Sequence, residues 1–400
     1  MTLRSQSLPV NAVGKVHLEY GGDLASRLDT SAIMGVPVRI RVESHLVDTM
    51  GLGPNRTLAF VDAYGKQLAP IQVQRGADGV SWMSVLPVLG GHAPRSFEVA
   101  VGPFPRITCC GPANEAVPGG MVVEGVLRLR SERGYDADRR EETWKAHDAV
   151  FGVDGELLTK GAGGKFPHHR GIFAGWNKMR CDGKSYDFWH GRAGETIEVV
   201  RDLETPQPSP FAARRVSELA WKAADGMTIV RESRTIELIA AGYGHLVCDV
   251  TIRLEAAGAR VELDGDPHHG GVQIRLSNDV ADHEKSTKSF LDPDAVSEGN
   301  DLWSNATWCG FIAPVHGKPW GFLHTTLEMP AAARYSVRPY GRFGSFCKTT
   351  LEPGEPRNFV VRIEFFDLSR APFDEKTARL RAELAQQGGM TLRFEPTKRD

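Results

Sequence analysis

No stretch of the sequence approaches the run of about 18 apolar residues that a membrane span needs, which predicts a soluble chain with no membrane partner. Charge of one sign is also missing. Lys and Arg total 48 and Asp and Glu total 50, a net charge of −2, so no broad positive field exists to hold nucleic acid. No GxGxxG, Walker loop, HExxH, GxSxG or CxxC pair occurs, which leaves nucleotide-dependent transfer and thiol redox chemistry unsupported. The six cysteines, at 109, 110, 181, 248, 309 and 347, are scattered, and the adjacent pair Cys109-Cys110 suits neither a metal nor an ordinary disulfide. They read as free thiols in a reducing compartment. The opening residues show no basic segment followed by an apolar one, so the expected location is the cytoplasm as written, or the periplasm if this is a mature exported form.

What the sequence has in quantity is 43 Gly, 24 Pro and 13 His among its 400 residues. Gly and Pro at that level punctuate many short elements and favour an all-β chain. Between Val36 and Val101, short apolar runs alternate with turn residues about every ten positions, as in a small β-sandwich. Segment 102–120 is rich in Pro and Gly and reads as a linker, which places an N-terminal domain at 1–118 and a larger one at 119–400. The larger domain continues with alternating runs such as Leu246–Leu254 and Val360–Phe366, predicting a large antiparallel β-sandwich. Only Pro372–Gln387 has helical periodicity, giving one C-terminal helix laid on a sheet.

Three constellations carry chemistry. Segment 163–191 holds His168, His169, Arg170, Trp176, Asn177, Asp187, Trp189 and His190 in a stretch too rich in Gly for one strand. A second runs from Asp264 to Arg275 and places His268-His269 at a Pro-Gly-framed turn, followed by Gln273 and Arg275 on one strand face. The third, Arg338-Pro-Tyr-Gly-Arg342, sets Tyr340 between two arginines whose positive field suits a proton carrier. Imidazoles with Asp and Arg fit general acid–base work or metal ligation. Trp and Tyr faces stack on sugar C–H groups, while His, Asn and Arg serve hydroxyls. The bland alternative is a set of surface hairpins whose histidines bond to backbone. It explains any single histidine well and the clustering poorly.

The run Phe166-Pro-His-His-Arg-Gly-Ile-Phe, then Gly175-Trp-Asn, Tyr186-Asp-Phe-Trp-His and Gly270-Gly-Val-Gln-Ile-Arg, resembles the PmoA-like family of bacterial proteins over roughly residues 120–370. The resemblance implies a β-sandwich protein associated with polysaccharide-degradation genes, its larger domain similar to galactose-mutarotase-like folds. His168, His169, Arg170, Asp187, Trp189, His190, Gly271 and Arg275 fall on its motif positions.

Glycoside hydrolysis usually needs two opposed carboxylic acids, whereas removing a proton beside a uronate carboxylate needs a base and a cation. His, Tyr and Arg dominate the three constellations, so the expected activity is β-elimination or dehydration of a uronate-containing oligosaccharide. His168, His169, His269 and Tyr340 are the expected catalytic groups. Arg170, Trp176, Asn177, Trp189, Gln273, Arg275, Arg338 and Arg342 would bind substrate, and Asp187, His190 and His268 would support an imidazole or hold a metal. A divalent metal, a hydrolase, a non-catalytic carbohydrate-binding protein and a homo-oligomer stay open as alternatives.

Overall fold

A computed structural model describes residues 11–20, 32–48, 57–61, 67–76, 79–90, 96–102, 109–114, 119–242, 244–386 and 390–397, with Met50, Leu52 and Val117. The chain is mostly antiparallel sheet and divides into two compact units. One takes the residues up to Cys109 with Pro208–Phe211 and the C-terminal segment from Gln387, and the other takes Cys110–Gln207 and Ala212–Gln386.

The first unit is a seven-stranded sheet in the order Ala32–Val42, Gly79–Gly90, Gln67–Gly76, Thr57–Val61, Ser96–Gly102, Asn11–Tyr20, Met390–Pro396. Its edge strands, Ala32–Val42 and Met390–Pro396, approach each other, so the sheet curls around Val16, Leu18, Val38, Ile40, Phe60 and Val99. A single cut at 118 does not describe this arrangement. Met390–Pro396 pairs with Asn11–Tyr20 from Gly14↔Pro396 to Tyr20↔Met390, which returns the C-terminus to the first unit. The expected linker is also partly strand, because Cys110–Pro112 pairs with Met121–Val123. Residues 103–108 lie outside the described residues.

The second unit is the large antiparallel sandwich that the alternation predicts. Its ten-stranded sheet has at its centre Val126–Glu132, His147–Val150, Ile172–Trp176, Gly270–Arg275, Arg342–Phe346 and Arg334–Arg338. Its eight-stranded sheet is built on Ala212–Lys222, Thr228–Gly242, His245–Ala256, Arg357–Asp367 and Lys318–Glu328. Aromatic side chains join the facing sides: Phe311 meets Phe343 at 5.3 Å between ring centroids, and Trp176 meets Phe359 at 5.4 Å and Trp221 at 6.2 Å. Each such side chain taken from water contributes about 1.5–3 kcal/mol. Polar groups cross the same core, where Asp148 of one sheet accepts from Arg215 (2.7 Å) and Arg234 (3.4 Å) of the other.

The helix expected at 372–387 spans Glu375–Ala385, capped by Asp374, whose carboxylate accepts the Thr377 N–H at 2.8 Å. Its Ala378 and Ala382 pack on Leu323, Phe366 and Phe373.

Candidate functional site

Strand periodicity decides which residues of the first two constellations reach the site. In Ile172–Trp176 successive side chains alternate between faces, so Trp176 turns with Ile172 and Ala174 toward the eight-stranded sheet while Phe173 turns the other way. Phe173 pairs with Gln273 on the next strand, and Gln273 accepts from Arg342 Nη1 at 3.0 Å on the strand beyond. Loops carrying His168, His190, His269 and Tyr340 gather over this face.

The result is a cleft of about 440 Å³ lined by Phe166, His168, His169, His190, Arg192, His268, His269, Arg338, Tyr340 and Arg342. Both His doublets, His190 and Tyr340 therefore share one site. Ring centroids are 4.6 Å apart for His168 and His190, 5.2 Å for His190 and His269, and 6.1 Å for His169 and Tyr340. Among the described residues no carboxylate lines the cleft.

Two of the imidazoles are held in the same way. Asp187 Oδ2 bonds His190 Nδ1 at 2.8 Å while Oδ1 accepts the backbone N–H groups of Trp189 (3.1 Å) and His190 (2.8 Å). Asp266 bonds His269 Nδ1 at 2.9 Å and accepts the His268 N–H at 3.0 Å. Each is an Asp-x-x-His turn. The short loop lets the carboxylate satisfy the backbone and fix the ring at once, leaving Nε2 as the free proton acceptor. Burial alone would raise both carboxyls, but their histidine hydrogen bonds outweigh it and hold them below the usual range.

The other imidazoles differ. His169 is 2% exposed, neither ring nitrogen has a partner, and burial followed by Arg342 drives its pKa far down, so it stays neutral. Its ring lines the cleft and stacks on Tyr340 at an interplanar angle of 12°. His168 has no carboxylate partner, and burial, then Lys145, lowers its pKa to about 3. His268 has both nitrogens engaged, Nδ1 with Ser336 Oγ at 2.7 Å and Nε2 with Asn300 Nδ2 at 3.3 Å. Those bonds leave it no lone pair for a metal, and among the described residues no group of three or more His, Cys, Asp or Glu converges as a metal site.

Several expected substrate binders stand behind the wall instead. Arg170 is fully buried and donates to the carbonyls of Glu141 (2.6 Å) and His169 (3.2 Å). Trp176 gives its Nε1–H to the Cys347 carbonyl at 3.1 Å within the core. Asn177 ties the Asp266 turn, its Nδ2 donating to Asp266 Oδ2 at 3.0 Å and its N–H to the His269 carbonyl at 2.8 Å. Trp189 is fully buried and backs His169 at 5.6 Å and His269 at 6.2 Å. Gln273 holds Arg342, and Arg275 donates to the Tyr340 carbonyl with its guanidinium 5.1 Å from that ring. Of the expected binders, Arg338 and Arg342 reach the cleft.

Sequence reasoning passed over Lys145. It is fully buried among Trp144, Phe173 and Trp189, at 4.5, 4.7 and 5.3 Å from the ring centroids, and donates to the carbonyls of Trp189 (2.6 Å) and His168 (3.4 Å). Burial, then Arg170, pushes its pKa well down. Lys160 similarly donates to the carbonyls of Gly161, Gly163 and His169, and burial lowers it to about 7. Lys145, Lys160, Arg170, Arg275 and Arg342 are all buried, and none has an ion-pair partner within 4.0 Å among the described residues. Burial favours the neutral form of the two lysines, whereas the guanidiniums of Arg170, Arg275 and Arg342 keep their charge and, kept from water without carboxylates, make the surroundings of the cleft positive. Asp266, Phe166 and Arg192 were also passed over, although the equal spacing of Asp187 to His190 and of Asp266 to His269 is a signal the sequence carries.

Among solved structures, one similar chain is assigned as a kojibiose phosphorylase from the human microbiome. It is 7% identical with a TM-score of 0.28, and the match covers 65% of this chain and 35% of that one. This chain thus spans about a third of the phosphorylase's length, at a likeness too low to define fold or activity. No curated protein matches the sequence. Residues 121–379, more than half of the chain, match a family of unknown function (DUF6807), and the protein belongs to that family.

Proposed function

We propose that the protein is a carbohydrate-active enzyme that eliminates across an acidic sugar. The observation that carries this reading is the pair of carboxylate-held imidazoles, His190 and His269, facing one cleft with Tyr340 and three arginines, Arg192, Arg338 and Arg342, and with no lining carboxylate among the described residues. An imidazole Nε2 takes the proton from the carbon beside the sugar carboxylate, and Asp187 or Asp266 stabilises the imidazolium that forms. The C–H electrons become a C=C bond, and the C–O bond to the neighbouring substituent breaks. Tyr340, whose hydroxyl accepts from Arg342 Nε at 3.3 Å, returns a proton to the leaving oxygen. The guanidiniums meet the charge that builds on the carboxylate. Hydrolysis by two opposed carboxylic acids fits less well, because Asp187 and Asp266 are each committed to an imidazole.

The test is incubation with oligouronides while ultraviolet absorbance reads the conjugated double bond of an unsaturated product. The expected result is absorbance that grows with wild type and slows about 10²- to 10⁴-fold in His190→Gln and in Tyr340→Phe. Saturated products with new reducing ends, or no turnover across the panel, would overturn the reading.

A further inference from the structure

One end of the cleft contains two arginines joined by a neutral histidine. Arg342 is 1% exposed, and its three nitrogens bond only neutral groups: Tyr340 Oη (3.3 Å), Gln273 Oε1 (3.0 Å) and Ser336 Oγ (2.7 Å). A guanidinium carries five N–H donors, so these bonds leave two of them over in a side chain that lines the cleft. Arg338 is held differently. Its Nη1 donates to Asn300 Oδ1 and to Asp301 Oδ2, both at 3.0 Å. Those residues form the tip of the hairpin joining Val296–Gly299 to Leu302–Ser304, at φ of 50° and 58°. Asn300 Nδ2 reaches on to His268 Nε2, and His268 Nδ1 reaches Ser336, which Arg342 also holds. The chain Arg338–Asn300–His268–Ser336–Arg342 thus fixes both guanidiniums on one wall. Burial, then Arg338 and Arg342, lowers His268 to about 4, so the bridge adds no charge of its own.

Among the described residues Asp301 is the one carboxylate paired with either arginine, and its side chain is 46% exposed at the hairpin tip. An exposed surface pair of this kind contributes about 0–1 kcal/mol, little enough for a better-placed carboxylate to replace.

We propose that Arg338, Arg342 and His268 form a carboxylate subsite that selects acidic over neutral sugars, and that Asp301 occupies Arg338 until a substrate carboxylate displaces it. This deepens the elimination reading by saying where the acidic group binds, and it is tested without turnover. A planar guanidinium pairs a carboxylate through two parallel N–H bonds. The buried cations beneath the cleft draw an anion toward that wall and oppose a divalent cation there.

The experiment measures binding of D-glucuronate and D-glucose to the full chain by thermal shift and calorimetry. Wild type should bind glucuronate in preference to glucose. Arg338→Ala should lose that preference by weakening glucuronate far more than glucose, and Arg338→Lys should restore part of it. Asp301→Asn removes the competing carboxylate and should tighten glucuronate several-fold with no effect on glucose. Equal binding of the two sugars by wild type overturns the subsite. Retained preference in Arg338→Ala removes Arg338 from it, and weaker glucuronate binding in Asp301→Asn overturns the place-holder role. If the preference holds and no oligouronide is turned over, elimination falls and the subsite stands.

Discussion

At the scale of residues, the two Asp-x-x-His turns divide five clustered histidines by role. His190 and His269 have a carboxylate on Nδ1 and a free Nε2, His169 is buried without partners, His268 has both nitrogens bound, and His168 is held neutral by burial and Lys145. Asp187→Asn should therefore leave the turn folded, because an amide oxygen still accepts the backbone N–H groups. It would also remove the charge that stabilises the imidazolium. Turnover should fall by about 10²- to 10⁴-fold with an unchanged melting temperature, and full activity would exclude the dyad. Lys145 acts through others. Lys145→Met strands the carbonyls of Trp189 and His168 and should cost about 1–3 kcal/mol in denaturant unfolding, whereas unchanged stability would show that the ammonium does not clamp those loops. The clustering of histidines was legible in the sequence; their division into bases, packing and bridges was not, since it depends on which nitrogen meets which neighbour.

At the scale of elements, alternation predicted the sheets well and the site poorly. Trp176 and Arg275 look like binding residues beside a Gly-rich turn, yet both sit in strands buried on both faces, where sequence gives no sign of which face meets the cleft. Strand Met390–Pro396 was missed because its partner, Asn11–Tyr20, lies at the far end of the chain, and pairing at that separation leaves no local pattern. The turn that presents His269 depends on a backbone feature that is legible only as a glycine. Gly271 has φ +91°, and a Cβ there would run into the Ser345 carbonyl oxygen. Gly271→Ala should thus destabilise the fold by more than about 1 kcal/mol and weaken activity by displacing His269, while a neutral effect on both would contradict the close packing of these strands.

At the scale of the whole molecule, buried neutral histidines make the fold acid-sensitive. Burial lowers His147 and His324 to about 3, and His245, which also faces Arg381, to about 4. The unfolded chain protonates these groups near pH 6.5 and the native one does not, so stability is full above that pH and declines as pH falls toward the folded values. Each contributes a slope of about 1.4 kcal/mol per pH unit. Burial would raise Glu364, but Arg381 and His245 hold it down to about 2, so it adds a further loss below about pH 4.5. The melting temperature should drop steeply from pH 6.5 to 4, and a flat profile would contradict the neutral burial of these rings. Net charge of −2 over the chain hides the local balance at the cleft, where buried cations outnumber the two dyad carboxylates. Composition excluded a broad field and could not reveal a local one. The central claim is that His190 and His269 take a proton from the carbon beside the carboxylate of an acidic sugar, and deuterium uptake at that carbon of an oligouronide in D₂O tests it most directly. Wild type should exchange or eliminate that hydrogen and the double variant His190→Gln/His269→Gln should not, whereas equal exchange by both proteins would contradict the account.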